Sequence, residues 1–136
     1  MIEKTLLLIK PNAVEKRHIG HILTHIEENG FIIENIKVFR FSDELAAQFY
    51  IEHWGKDFYQ HLIDFMTSDK TVAVVLRKEN AVNDLRELIG DTDPHKRRPN
   101  TIRSLYAEGV TENAVHASDS LAHAERELSL IFPRQV

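Results

Sequence analysis

The sequence predicts an α/β protein in which short, fully buried strands alternate with amphipathic helices. Two uninterrupted apolar runs, Leu6-Leu7-Leu8-Ile9 and Val72-Ala73-Val74-Val75-Leu76, have the length of strands covered on both faces. Between and after them apolar residues recur at the helical period, with Ser, Asn and Gly marking the boundaries. The chain has 136 residues, enough for one core and too few for two, so residues 1–136 are expected to form one domain. A parallel doubly wound sheet and a split βαββαβ unit both satisfy this pattern, and periodicity does not choose between them.

Thr5 to Ile9 reads as a strand closed by Lys10-Pro11, since proline has no N–H with which to continue a ladder. Ile19, Ile22, Leu23 and Ile26 share one helical face, and Asn29-Gly30 supplies the stop. Phe31 to Phe41 is a second strand by its Ile, Val and Phe content, with Ile36 and Val38 alternating about Lys37. Ser42 can cap a helix over Asp43 to Ile51. After the irregular His53-Trp54-Gly55-Lys56-Asp57 turn, Phe58, Leu62, Phe65 and Met66 make another stripe. Thr71 to Leu76 reads as a central strand, and Val82, Leu85, Leu88 and Ile89 as a helix stopped by Gly90. From Asp91 to about Glu112 the periodicity lapses, and loops of that length in compact domains usually carry function. A short strand at Ala114 to Ala117 follows. Ser120 then caps a last helix with Leu121, Ala124, Leu128 and Ile131 on one face.

Seventeen Lys and Arg against twenty-one Asp and Glu give a net charge of −4, so an anionic substrate must be held by a local cluster of cations. The absence of cysteine excludes disulfides, thiolate catalysis and thiolate metal sites. The apolar run near the start is too short for a signal peptide or a membrane span, and a cytoplasmic protein with no membrane partner is expected. There is no Gly-x-x-x-x-Gly-Lys-Ser/Thr, Gly-x-Gly-x-x-Gly, His-Glu-x-x-His or Gly-x-Ser-x-Gly, so Gly-rich phosphate cradles, zinc protease chemistry and ordinary serine hydrolysis lack support.

Eight histidines stand out. His18, His21 and His25 lie at helical spacing and could bind a metal, although they also suit a solvated helix face. His53, His61, His95 and His123 have no partner at a diagnostic spacing and read as surface or packing residues. His116 sits in Asn113-Ala114-Val115-His116-Ala117-Ser118-Asp119-Ser120, among small residues that leave room for a ligand. Glu127, two helical turns after Ser120, can return to the same side and orient the imidazole. From these features alone a buried structural histidine near a helix cap is the better reading, ahead of a nucleophile.

The segment Asn113 to Ser120 resembles the Asn-x-x-His-Gly-Ser-Asp-Ser signature of nucleoside diphosphate kinases. Lys10-Pro11-Asn12-Ala13-Val14, Phe49-Tyr50 with His53, Gly90-Asp91-Thr92-Asp93-Pro94, Thr101-Ile102-Arg103 and Ala124-Glu125-Arg126-Glu127 are similar to further family segments, in the family's order. The resemblance covers essentially the whole chain. It implies a ferredoxin-like βαββαβ sandwich, a four-stranded antiparallel sheet covered by helices. It also implies transfer of the γ-phosphate from a nucleoside triphosphate, ATP among them, to a nucleoside diphosphate through a phosphohistidine, in two half-reactions with broad base tolerance.

By the same resemblance His116 is the nucleophile and Glu127 and Ser118 fix its ring. Arg86, Arg103 and Thr92 hold phosphates, Tyr50 and Lys10 lie near the transferred group, and Lys10 and Asn113 reach the ribose. Phe58 and Val110 flank the base. Mg2+ is implied as cofactor, chelated largely by the nucleotide, with Asp119 an outer-sphere helper. The family assembles as homotetramers or homohexamers, and the ending Ile131-Phe132-Pro133-Arg134-Gln135-Val136 is expected to offer little C-terminal arm. Several positions depart from the family pattern. Ala117 replaces a glycine, Leu105 stands where a loop carboxylate is common, and Asp57 and Asp69-Lys70 alter two turns. The basic run His95-Lys96-Arg97-Arg98 reads as a solvated loop that steers nucleotide phosphates, nucleic acid being disfavoured by the net charge.

Overall fold

A computed structural model describes residues 1–133; the end of the predicted C-terminal segment, residues 134–136, lies outside the described residues. Four strands, β1 (Ile2–Ile9), β2 (Ile32–Arg40), β3 (Lys70–Glu79) and β4 (Val115–Ala117), form one sheet in the order β2-β3-β1-β4, each pair antiparallel. This is the split βαββαβ arrangement, and the parallel alternative is excluded. Helices α1 (Pro11–Glu15), α2 (Ile19–Glu28), α3 (Asp43–Phe49), α4 (Tyr59–Met66), α5 (Ala81–Ile89), α6 (Ile102–Tyr106) and α7 (Leu121–Ile131) complete it, with short 3₁₀ turns at Ile51–His53 and Pro94–Lys96.

The continuous apolar runs follow from burial on both faces. Leu7 and Ile9 of β1 and Val72, Val74 and Leu76 of β3 pack with Ile22 and Ile26 of α2 and Leu85 and Ile89 of α5. Leu6 and Leu8, with Ala73 and Val75, face the other way onto Phe49 of α3, Leu62 and Met66 of α4 and Ile131 of α7. Alternate side chains of one strand thus enter two separate cores, which is why no polar residue interrupts Leu6 to Ile9.

The predicted caps form. The Ser42 hydroxyl accepts from the Leu45 N–H, and the Ser120 hydroxyl accepts from the His123 N–H. Ile36 and Val38 are 45% and 61% exposed on β2, an edge strand shifted in register between Ile33 and Asn35. One expectation needs correction. The segment 91–112 is not devoid of structure: Thr101 caps α6, its hydroxyl accepting from the Ser104 N–H. A Thr-Ile-Arg-Ser run is a legible cap signal, but five residues are too few to show a period. The helix α1 was hidden for the same reason, with Pro11 opening it as well as ending the strand.

Gly90 terminates α5 at φ +90°, and a Cβ there would lie 2.6 Å from the Thr101 hydroxyl oxygen. Only glycine permits both this conformation and the close approach of the α6 cap.

Candidate active site

The three residues of β4 carry His116 along the sheet edge, paired only with β1 through Leu7↔Ala117, Leu8↔His116 and Ile9↔Val115. Immediately before it the chain makes a tight γ-turn: the Val115 N–H donates to the Asn113 carbonyl at 3.0 Å, and Ala114 between them has φ +77°. That sparsely populated geometry turns Asn113 toward the same cleft that His116 faces. Ala117 has no positive φ, so a side chain replaces the expected glycine there without conformational cost.

Glu127 of α7 is buried, and its Oε1 lies 2.8 Å from His116 Nε2 and accepts the Ser118 hydroxyl at 2.7 Å. Burial alone pushes this carboxyl up, but the hydrogen bonds and charge of His116, with the Ser118 hydroxyl and Arg126, outweigh it and hold Glu127 below its ordinary value. An ionised carboxylate only accepts, so His116 Nε2 carries the proton and Nδ1 of the neutral ring keeps its lone pair. The Ser118 hydroxyl reaches the ring through the carboxylate, donating to the same Oε1 that faces His116 Nε2. The edge-on rings of Phe49, 5.1 Å away, and Tyr50, 6.4 Å away, fix the plane of the imidazole.

A cleft of about 450 Å³ opens above His116. All the predicted residues except Ser118 line it: Lys10, Tyr50, Phe58, Arg86, Thr92, Arg103, Val110, Asn113, Asp119 and Glu127 surround His116. Lys10 ends β1 and opens α1, its side chain buried; burial and then the charge of Arg103, partly offset by Glu112, bring it down to about 7. Tyr50 closes α3, and burial, followed by the Glu127 charge, pushes its phenol up. Arg103 is lowered to about 10 by burial and by neighbouring Arg86 and Arg97. Tyr50 Oη, Asn113 Oδ1 and Arg103 Nε are buried with no hydrogen-bond partner among the described residues, three polar atoms on the wall of one cleft. Such atoms are costly unless a ligand pairs them.

The two arginines also hold β4 itself. Arg103 Nη2 donates to the Val115 carbonyl at 3.0 Å, and Arg86 Nη1 to the Ala117 carbonyl at 3.2 Å, on the strand edge that β1 does not use. Arg103 Nη1 also donates to Gly90. Phe58 is 45% exposed at the mouth, its ring 5.3 Å from His53, and does not join Leu62 and Phe65 in the core. Val110, 62% exposed, also lines the mouth.

Sequence reasoning missed several wall residues. His53 and His123 are not simply surface or packing groups: both line the cleft, as do Phe49, Glu52, Thr111 and Arg126. His123 Nε2 lies 2.8 Å from Glu52 Oε1, a pairing between α7 and the turn after α3 that no local spacing reveals. Burial, then nearby Lys56, lowers His53. The helix-spaced trio behaves as a face: His18 and His21 pack on Tyr106 at 4.6 and 6.5 Å between ring centres.

A carboxylate-oriented imidazole beneath a cleft lined by cations and hydroxyls has the chemistry of a phosphotransferase acting through histidine. Residues 3–136 match the family model described as nucleoside diphosphate kinase. A nucleoside diphosphate kinase of Actinobacillus pleuropneumoniae serotype 3 (strain JL03) is 48% identical over 132 residues, 97% of this chain and 96% of that protein. The solved nucleoside diphosphate kinase of Aquifex aeolicus is 42% identical, with a TM-score of 0.93 over 97% of this chain and 96% of its own. That of Halobacterium salinarum, solved in complex with CDP, is 35% identical with a TM-score of 0.93, covering 97% and 88%. The chain belongs to the nucleoside diphosphate kinase family, and it is a kinase that transfers phosphate from nucleoside triphosphates to nucleoside diphosphates.

Proposed function

We propose that residues 1–136 act as one catalytic domain in which His116 Nδ1 carries the phosphate between the two half-reactions. The observation that supports this assignment is the ionised, buried Glu127 on Nε2, which leaves Nδ1 as the free nucleophile. In the first half-reaction Nδ1 attacks the γ-phosphorus, its bond to the diphosphate leaving oxygen breaks, and the departing diphosphate keeps that electron pair. In the second, a diphosphate oxygen attacks the phosphohistidine and the imidazole regains its lone pair. The imidazolium that develops when Nδ1 is phosphorylated keeps its Nε2 proton and is stabilised by Glu127.

Arg86, Thr92 and Arg103 bind phosphate oxygens, with Tyr50 and Lys10 near the transferred group. Lys10 and Asn113 hold the ribose, and Phe58 and Val110 flank the base. Stacking between an aromatic and an aliphatic group discriminates poorly among bases, which supports broad tolerance. Asp119 is 59% exposed on the rim, 3.9 Å from Arg86 Nη1, and a single carboxylate suits an ion that keeps its waters and binds mainly to substrate phosphates. Mg2+ therefore fits this rim through Asp119, and when bound it neutralises phosphate charge. The exposed apolar edge of β2 supports self-association, as a homotetramer or homohexamer. No helix among the described residues is long and apolar enough to cross a membrane. The net charge of −4 supports nucleotides rather than nucleic acid as partners, and the cytoplasmic setting rests on the family resemblance.

The deciding experiment is incubation with radiolabelled triphosphate and Mg2+ without acceptor. One acid-labile, base-stable phosphate on His116 is expected, chased off by any diphosphate. Label on Ser118 or Ser120, or turnover surviving His116→Ala, would refute the assignment.

A further inference from the structure

The basic run at residues 95–98 contains one arginine that does not behave as a steering charge. Lys96 and Arg98 are exposed, and their side chains make no hydrogen bond or ion pair with the described residues. Arg97 is half-buried. Its Nε donates to the Asp91 carbonyl at 2.8 Å, and its Nη2 donates to the carbonyls of Thr92 at 3.0 Å and Gly109 at 3.2 Å. A single planar guanidinium thus joins the two ends of the long segment between α5 and β4.

Those ends carry different parts of the cleft. Thr92 lines the wall shared with Arg86 and Arg103, and Val110, next to Gly109, lines the mouth near Phe58. Arg103 ties the flanks of this segment, Gly90 to Val115, but among the described residues no other hydrogen bond joins 91–93 directly to 109–111. The carboxylate common in the family two residues after Arg103 is Leu105 here, 51% exposed and unable to anchor anything polar. Arg97 supplies in its place a fork whose rigid geometry a flexible ammonium cannot copy.

We propose that Arg97 is a positioning residue for the nucleotide: its fork fixes the spacing between the turn that presents Thr92 to the phosphates and the turn that presents Val110 to the base. Arg97 need not touch the nucleotide to do this. Loosening it lets the two turns drift apart, which weakens simultaneous contact with base and phosphates in both ground and transition states. The cost therefore appears in KM and not in kcat. The inference rests on the assignment of this cleft as the nucleotide site, and His116→Ala tests that assignment separately.

The test compares Arg97→Lys, Arg97→Ala and the double variant Lys96→Ala/Arg98→Ala in the full chain with Mg2+, at low and high salt. Both Arg97 variants should raise KM for the diphosphate roughly ten-fold at either salt, with kcat within about three-fold. The double variant should change KM only at low salt. Hydrogen exchange should quicken at residues 91–93 and 109–111 in Arg97→Lys, with the sheet unchanged. Wild-type KM in Arg97→Lys would make the charge sufficient and overturn the proposal. So would kcat falling in step with the melting temperature, which marks a role in folding alone. If Arg97→Ala does not fold, the lysine variant and its exchange pattern decide. Turnover persisting in His116→Ala would overturn the site assignment instead.

Discussion

Lys10 turns nucleotide binding into a proton-uptake event. Its amine is buried and brought down to about 7 by burial and by Arg103, so at pH 8 only about a tenth of free enzyme molecules carry the charge. A polyphosphate in the cleft supplies the missing counter-charge and should carry the amine well above 9, so about 0.8 to 0.9 of a proton enters with each nucleotide at pH 8. That pH is chosen because the terminal phosphate, titrating near 6, is already ionised and contributes little. Calorimetry in two buffers of different ionisation enthalpy measures the uptake, which should fall as the pH is lowered from 8 toward 7, where half of the free enzyme already carries the Lys10 charge. Linkage also fixes the sign of a stability effect. The folded value lies below the unfolded 10.5, so the unfolded chain holds more protons between about 7 and 10.5 and stability rises with pH across that window. Below it the buried charge costs on the order of 5 kcal/mol, which Lys10→Met should recover in large part. Uptake below about 0.2 at pH 8, or a Lys10 Cε resonance that titrates above pH 9 in the free protein, would refute the reasoning.

Glu127→Gln leaves His116 without an anionic partner and should lower turnover about a hundred-fold with little change in KM, read from single-turnover formation of phosphohistidine. Because Glu127 is held below its ordinary value, the stability it contributes is complete above the usual glutamate range and is lost on acidification beneath it. Acid melting curves of wild type and Glu127→Gln should therefore converge at low pH. Gly90→Ala must accept φ +90° and drive a Cβ into Thr101, so it should cost about 2–4 kcal/mol in urea unfolding. Phe58→Ala should raise KM for adenine, guanine, cytosine and thymine diphosphates alike, and diphosphates lacking the 3′-hydroxyl should be poor substrates because Lys10 and Asn113 are left unpaired. Strict selection of one base would contradict the open, exposed mouth at Phe58 and Val110.

Local rules sufficed for the elements that bury a repeating face. Leu6 to Ile9, the stripes of α2 and α5 and the caps at Ser42 and Ser120 follow from period and from hydroxyls placed before apolar runs. Strand order did not, because antiparallel and parallel sheets covered on both faces leave the same continuous apolar run in β1. The resemblance decided that question. At the candidate site, His116 and Glu127 were legible as neighbours across a β4–α7 turn, whereas the His123–Glu52 pair joins residues 71 positions apart and depends on tertiary packing. The carbonyl contacts of Arg97 were not legible, because the sequence shows a charge and says nothing of the three carbonyls around it.

The arginines along β4 give the site a mechanical character. His116 rides on a three-residue strand at the margin of the sheet, and its outer carbonyls, which a fifth strand would otherwise engage, accept from Arg103 and Arg86. The groups proposed to meet phosphate are therefore also the fasteners of the strand that bears the nucleophile. Replacing either one slackens β4 as well as removing a positive charge, so kinetic losses in Arg86 or Arg103 variants combine both effects and do not measure electrostatic stabilisation alone. The same placement puts the shortest strand of the sheet under the chemistry. On mild denaturation activity should disappear ahead of the β1–β3 core, as the margin opens in a local step well below the free energy of global unfolding.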